Sequence, residues 1–149
     1  MSWPPEAREF LEAHRVGHLA TAGADGAPHV VPVCYALDDH AVYFIADAKP
    51  KRGRARELVR LRNLQANPRA ALVVDDYGED WTRLAWVLVR GPAGLVQTPA
   101  QHAQALERLR ARYPQYRDMR LEDPQEHPVV RIQPEIIRVW RAAAAPANP

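Results

Sequence analysis

The sequence predicts a mainly β chain with peripheral helices, its strands forming an antiparallel sheet closed as a small barrel. Two observations predict it. Short apolar segments recur along the chain, and most neighbours are joined by brief turns carrying Gly, Asp or Pro. Helical spacing of apolar residues occurs in only a few places, so the count is about six strands and about three helices.

The elements follow in order. Ser2 is placed to cap a first helix, with Pro4 and Pro5 in its first turn. Ala7, Phe10, Leu11 and His14 make its apolar stripe, and Gly17 is expected to stop it. His18–Ala22 reads as a strand, and Gly23-Ala-Asp-Gly26 as a tight turn. The second strand runs from Pro28 to Ala36, with Val31, Val33 and Tyr35 on one face and Val30, Pro32 and Cys34 on the other. Neither face is polar, so both are expected to be buried or bound. Pro32 lacks a ladder N–H, which places this strand at an edge or a bulge. Asp38-Asp-His40 turns the chain into a third strand, Ala41–Ala46, completing an expected three-stranded meander.

Leu58, Leu61 and Leu64 then mark a helix that stops at Asn67-Pro68. Arg69–Asp75 is the fourth strand, and an acidic, aromatic loop, 76–81, follows it. The fifth strand runs from Leu84 to Gly91 and continues, bent at Gly91-Pro92, through Val96. Thr98 caps the last helix with Pro99 at its first position, and Leu106, Leu109 and Tyr113 form its stripe. Residues 112–128 read as an irregular excursion. Val129–Ile132 and Ile136–Trp140 supply the final strand or strands.

The 149 residues fit one domain, taken as 1–141, with the low-complexity stretch 142–149 as a frayed tail. A net charge of +2 is too small to suggest general nucleic-acid binding. No apolar run is long enough to span a membrane, and Pro4, Pro5 and Glu6 stand where a signal peptide needs bases and an apolar core. Cys34 is the only cysteine, which excludes an intrachain disulfide and fits a reducing cytoplasm.

Catalytic motifs are sparse. Ser2 is the only serine, and Cys34 lies mid-strand among apolar residues. His14 and His18 flank Gly17 and lack a third ligand, so no metal site is expected. The sequence holds neither a Walker A loop nor Gly-x-Gly-x-x-Gly. Any redox chemistry therefore belongs to a bound cofactor. The feature that points to one is the basic run after the third strand: Lys49, Lys51, Arg52, Arg54, Arg56, Arg60 and Arg62 against one internal acid, Glu57. A strand emptying into a basic loop and a helix start is suited to a phosphate. A solvated basic face fits the same residues.

Several motifs occur in a fixed order: His18-Leu-Ala-Thr-Ala22, Asp25-Gly-Ala-Pro-His29, Val31-Pro-Val33, Tyr43-Phe44, Asp47-Ala-Lys-Pro-Lys-Arg52, Leu61-Arg-Asn-Leu64, Ala66-Asn-Pro-Arg-Ala70 and Asp75-Asp-Tyr77 with Asp80-Trp81 and Trp86 behind. Together they resemble the pyridoxamine 5'-phosphate oxidase-like split β-barrel superfamily, and within it the F420-dependent branch. The resemblance covers residues 8–140. It implies a six-stranded antiparallel split barrel, a homodimer with two sites at the subunit interface, and F420 or, alternatively, FMN as cofactor. It places His29, Val30, Val31, Pro32 and Val33 along the ring, and Asp47, Lys49, Lys51, Arg52, Arg56 and Asn63 at the phosphate end. Trp81 and Trp86 approach the site across the dimer or close the interface. The implied reaction is hydride transfer from reduced F420 to a small unsaturated substrate. The surplus arginines suit the glutamate tail of F420, which FMN lacks. No residue must be the proton donor; His29 and Tyr35 are the candidates. The competing readings are an FMN oxidase or reductase and a non-catalytic binder of a flavin, a deazaflavin or a haem-type ligand. A nucleic-acid-binding barrel is disfavoured because the basic run lacks aromatics.

Overall fold

A computed structural model describes residues 2–47 and 58–143. Helix α1 (Pro5–Ala13) buries Ala7, Phe10 and Leu11, the predicted stripe. Ser2 does not cap it: Pro4 stands at the N-cap without a side-chain bond. The helix ends at Ala13, before Gly17, because His14 turns extended and its Nδ1 lies 2.8 Å from the Phe10 carbonyl oxygen. Gly17 instead opens β1 (Gly17–Ala22), where a Cβ would come within 2.7 Å of Leu72 Cδ1.

The Gly23–Gly26 turn forms as expected, with the Gly26 amide donating to the Gly23 carbonyl at 3.0 Å and Gly26 at φ 78°. It joins β1 to β2 (Pro28–Val33) in antiparallel register, Thr21 opposite His29 and His18 opposite Pro32. β2 is an edge of the sheet, the position Pro32 requires.

The expected meander does not continue. β4 (Val42–Ile45) pairs with the two-residue β3 (Ala36–Leu37) and with β7 (Val129–Ile132), not with β2. The chain leaves the first sheet at Cys34–Tyr35, where side chains take over the backbone bonding. The Tyr35 amide donates to the Tyr113 hydroxyl at 3.0 Å, and the Tyr35 hydroxyl donates to the Leu11 carbonyl at 2.6 Å.

Helix α2 (Val59–Ala66) buries Leu61 and Leu64 and stops at Asn67, before Pro68. β5 (Arg69–Asp76) leads through a single 3-10 turn, Trp81–Arg83, to the long β6 (Ala85–Leu95). β6 pairs with β5 from Ala85 to Pro92 and with β8 (Ile136–Arg141) from Ala85 to Arg90, and takes β7 as partner from Ala93. Gly91 permits the change: a Cβ there would lie 1.8 Å from the Gln133 carbonyl oxygen. Helix α3 (Pro99–Arg112) carries the predicted Thr98 cap, completed by Gln101 as a capping box. The excursion beyond it holds a 3-10 turn, Pro114–Asp118.

The sheet runs β2-β1-β5-β6-β7-β4-β3 with β8 also on β6, all antiparallel. Among the described residues eight strands replace the expected six, because β3 is too short to read in sequence and the final stretch makes two strands. The fold is mainly β, a curled antiparallel split barrel with three α-helices among the described residues. Its main core gathers Leu19, Leu72, Val74, Val87 and Val89 under α1, with Trp3 anchored by its indole N–H to the Asp38 carbonyl at 2.8 Å. A second core packs α3 and the excursion against β4 and β7 through Ile45, Leu106, Leu109, Tyr116, Leu121 and Val129. Each such large side chain contributes about 1.5–3 kcal/mol on burial.

Candidate cofactor site

The exit of β4 is polar. Asp47, half-buried, accepts a 2.5 Å hydrogen bond from the Tyr116 hydroxyl. Burial, reinforced by the bond to Asp47 and its charge, pushes the Tyr116 hydroxyl far above the ordinary phenol range, so Tyr116 stays protonated and donates. The Cys34 thiol sits beside the same hydroxyl. Burial pushes it up too, which makes it an inert thiol rather than a nucleophile.

Arg60, at the start of α2, is half-buried near Asp47 and Tyr116. Burial pulls its pKa down, and attraction to Asp47 opposes that shift. Its Nε is buried and lacks a hydrogen-bond partner among the described residues. A desolvated cation with an open donor is suited to an anionic oxygen.

A neighbouring polar cluster joins α2 to the β1–β2 hairpin. Asn63 Nδ2 donates to the buried Thr21 Oγ1 at 3.1 Å, and Thr21 lies opposite His29 in register. The His29 Nδ1 is buried and also unpartnered among the described residues.

The sequence-predicted residues divide between places. His29, Val31 and Val33 alternate with Pro28, Val30 and Pro32, so the five predicted ring neighbours fall on two faces of β2. Val31 and Val33 pack on the core, whereas Val30 is 62% exposed on the outside. Asp47 and Asn63 are half-buried, in the two clusters just described. Lys49, Lys51, Arg52 and Arg56 lie outside the described residues. Trp81 is exposed in the acidic loop, and Trp86 is on the outer sheet face, stacked on Trp140 at 6.1 Å between ring centroids. Tyr77 extends that aromatic row, 6.5 Å from Trp140.

The outer face of β2-β1-β5-β6-β8 is otherwise mostly apolar. Register aligns Pro32, His18, Val73, Leu88 and Arg138 in one row and Val30, Ala20, Ala71, Arg90 and Ile136 in the next. A shallow trough of about 400 Å³ lies over Ala20, Pro28, Ala71 and Ile136.

Sequence reasoning missed Thr21 and Tyr116 and left Arg60 as one arginine among many. Arg60 was visible only as one charge of the basic run. Tyr116 carried no signal, because its partner is 69 residues away. Among the described residues, no group of three or more His, Cys, Asp or Glu could hold a metal ion, and no helix is long and apolar enough to cross a membrane.

Comparison with known proteins bears on what such a site belongs to. Over 67 residues the chain is 40% identical to the 5a,11a-dehydrotetracycline/5a,11a-dehydrooxytetracycline reductase of Streptomyces rimosus, a match covering 45% of this chain and 44% of the reductase. The chain thus spans under half the length of this curated relative. A conserved hypothetical protein from Mycobacterium tuberculosis superposes with a TM-score of 0.73 at 25% identity, over 95% of this chain and 86% of that one. A FAD-binding protein from Mesorhizobium loti superposes with a TM-score of 0.68 at 27% identity, over 96% and 98% of the two chains. The family model for pyridoxamine 5'-phosphate oxidase matches residues 3–141, nearly the whole sequence, and the chain belongs to that family.

Proposed function

We propose that this chain is an F420-dependent oxidoreductase that acts on a small unsaturated substrate as a cytoplasmic homodimer. The observation that carries the reading is Arg60: a half-buried guanidinium with an open Nε, at the helix start that follows the basic run. Such a group fits a phosphodiester, and it stands with Asp47 at the β4 exit, where the basic run begins. Lys49, Lys51, Arg52 and Arg56 are proposed to complete the phosphate end, with the surplus arginines taking the carboxylates of the F420 tail. Asn63, on α2 and held by Thr21, is assigned to the same end.

When bound, reduced F420 supplies a hydride to a conjugated double bond. The chain's own residues orient and shield. His29, Val31 and Val33 offer the ring the inner face of an edge strand, and the unpartnered His29 Nδ1 is available to a polar ring atom. Val30 and Pro32, exposed on the other face, are assigned to the subunit interface with the outer sheet rows, where Trp86 and Trp81 reach towards the partner's site. The Streptomyces rimosus reductase supports a dehydro-type substrate. A flavin is the second reading, favoured by the FAD-binding protein that matches along almost its whole length.

Paired titrations of the purified protein with F420 and FMN, followed by cofactor fluorescence, test this. Micromolar or tighter F420 binding with weak FMN binding is expected. Lys49→Ala and Arg52→Ala are each expected to cost about 1–3 kcal/mol of F420 affinity. Equal or preferred FMN binding would move the protein to the flavin reading.

A further inference from the structure

The 113–128 excursion has no assigned role, yet three of its hydrogen bonds meet at two adjacent residues, Ala46 and Asp47. Tyr116 donates to Asp47 Oδ2 at 2.5 Å. The His127 Nδ1 lies 2.6 Å from the Ala46 carbonyl oxygen and so carries its proton there. The Ala46 amide donates to the Pro128 carbonyl at 3.0 Å. Behind these, the buried His102 of α3 holds His127 in place, its Nε2 lying 2.7 Å from the His127 carbonyl oxygen. Arg110, also on α3, donates to the carbonyl oxygens of Tyr116 at 3.0 Å and Met119 at 2.8 Å, and pairs with Glu122 at 2.8 Å. The excursion is therefore stapled to α3 at its back and grips the end of β4 at its front.

We infer that Tyr116 and His127 are positioning residues that fix the end of β4 and hold Asp47 off Arg60, setting affinity for the phosphate end of the cofactor and not for its ring. Without the Tyr116 hydroxyl, Asp47 loses its neutral donor and is free to turn onto Arg60. The open guanidinium would then be quenched by a carboxylate in place of a phosphate. The ring face at His29, Val31 and Val33 belongs to another strand and is untouched by this change. The inference rests on the cofactor reading above and refines it.

The test compares F420 with its phosphate-free chromophore, 8-hydroxy-5-deazariboflavin, on the wild type, Tyr116→Phe, His127→Ala and His127→Asn. The asparagine amide reproduces the Nδ1 donor and should bind F420 within about threefold of wild type. Tyr116→Phe and His127→Ala should each weaken F420 by about tenfold, or about 1.4 kcal/mol. Binding of the phosphate-free chromophore should change less than about twofold. Equal losses for both ligands, or no loss of F420, would overturn the inference and leave the cofactor reading standing. Amide exchange at Ala46 reads the grip without any ligand and should accelerate in Tyr116→Phe while β1 and β5 amides stay slow. A wild type that binds neither F420 nor FMN refutes the cofactor reading. The grip is then judged on Ala46 exchange, and an unchanged rate overturns it.

Discussion

The outer face of the sheet and the junction behind β4 break the usual rule of burial in opposite directions. Val30, Val73, Leu88 and Trp140 are apolar and lie on the outside, whereas Asp47, Arg60, Tyr116 and His102 are polar and wholly or partly enclosed. The contrast teaches where to look for missing partners. An apolar sheet face left open is accounted for by another surface, and an enclosed cation with an open donor by an anion.

Four changes would break or sharpen the comparison. The largest effect is expected at the join. Gly91→Ala places a methyl against the backbone of Gln133, which cannot yield as a side chain would, and should cost about 3 kcal/mol in a urea titration. Next is Arg112, which donates to the Glu12 carbonyl at 3.1 Å and the His14 carbonyl at 2.6 Å, and lies over the rings of Tyr35 and Tyr113. Arg112→Ala uncaps the end of α1 and should cost about 2–3 kcal/mol by the same measurement.

Tyr116→Phe is expected to cost about 1–1.5 kcal/mol at neutral pH, and its pH dependence identifies the cause. The folded hydroxyl is raised above its unfolded value near 10. Its stabilisation is therefore whole below that pH and is lost as pH rises beyond it, because only the unfolded chain then releases the proton. The gap between wild type and Tyr116→Phe should narrow above about pH 10. A constant gap would mean that the hydroxyl is not the source. The smallest stability change belongs to the open face: Val30→Lys should shift unfolding by no more than about 0.5 kcal/mol while converting dimer to monomer in sedimentation. A monomeric wild type would remove the interface from the account.

Legibility in the sequence followed the range of the interactions. The Gly23–Gly26 turn, the edge position of Pro32 and the Thr98 cap are set by neighbours a few residues away, and all three could be read. The break after Val33 could not, because Tyr35 is drawn out of the ladder by Tyr113 and Leu11, far off in the chain. The same holds for the candidate site. Asp47 and Asn63 stood out by their motifs, but the partner of Asp47 was hidden in a stretch with no periodicity. Arg60 was visible only as charge, since burial is a property of the fold. The alternation of β2 was legible, and the strand puts the side chains of His29–Val33 on two faces.

Native mass spectrometry of the protein made in a host that produces F420, FMN and haem tests the central claim most directly. The account predicts a dimer carrying one F420 per chain. A protein that emerges with FMN or haem in that place would contradict it.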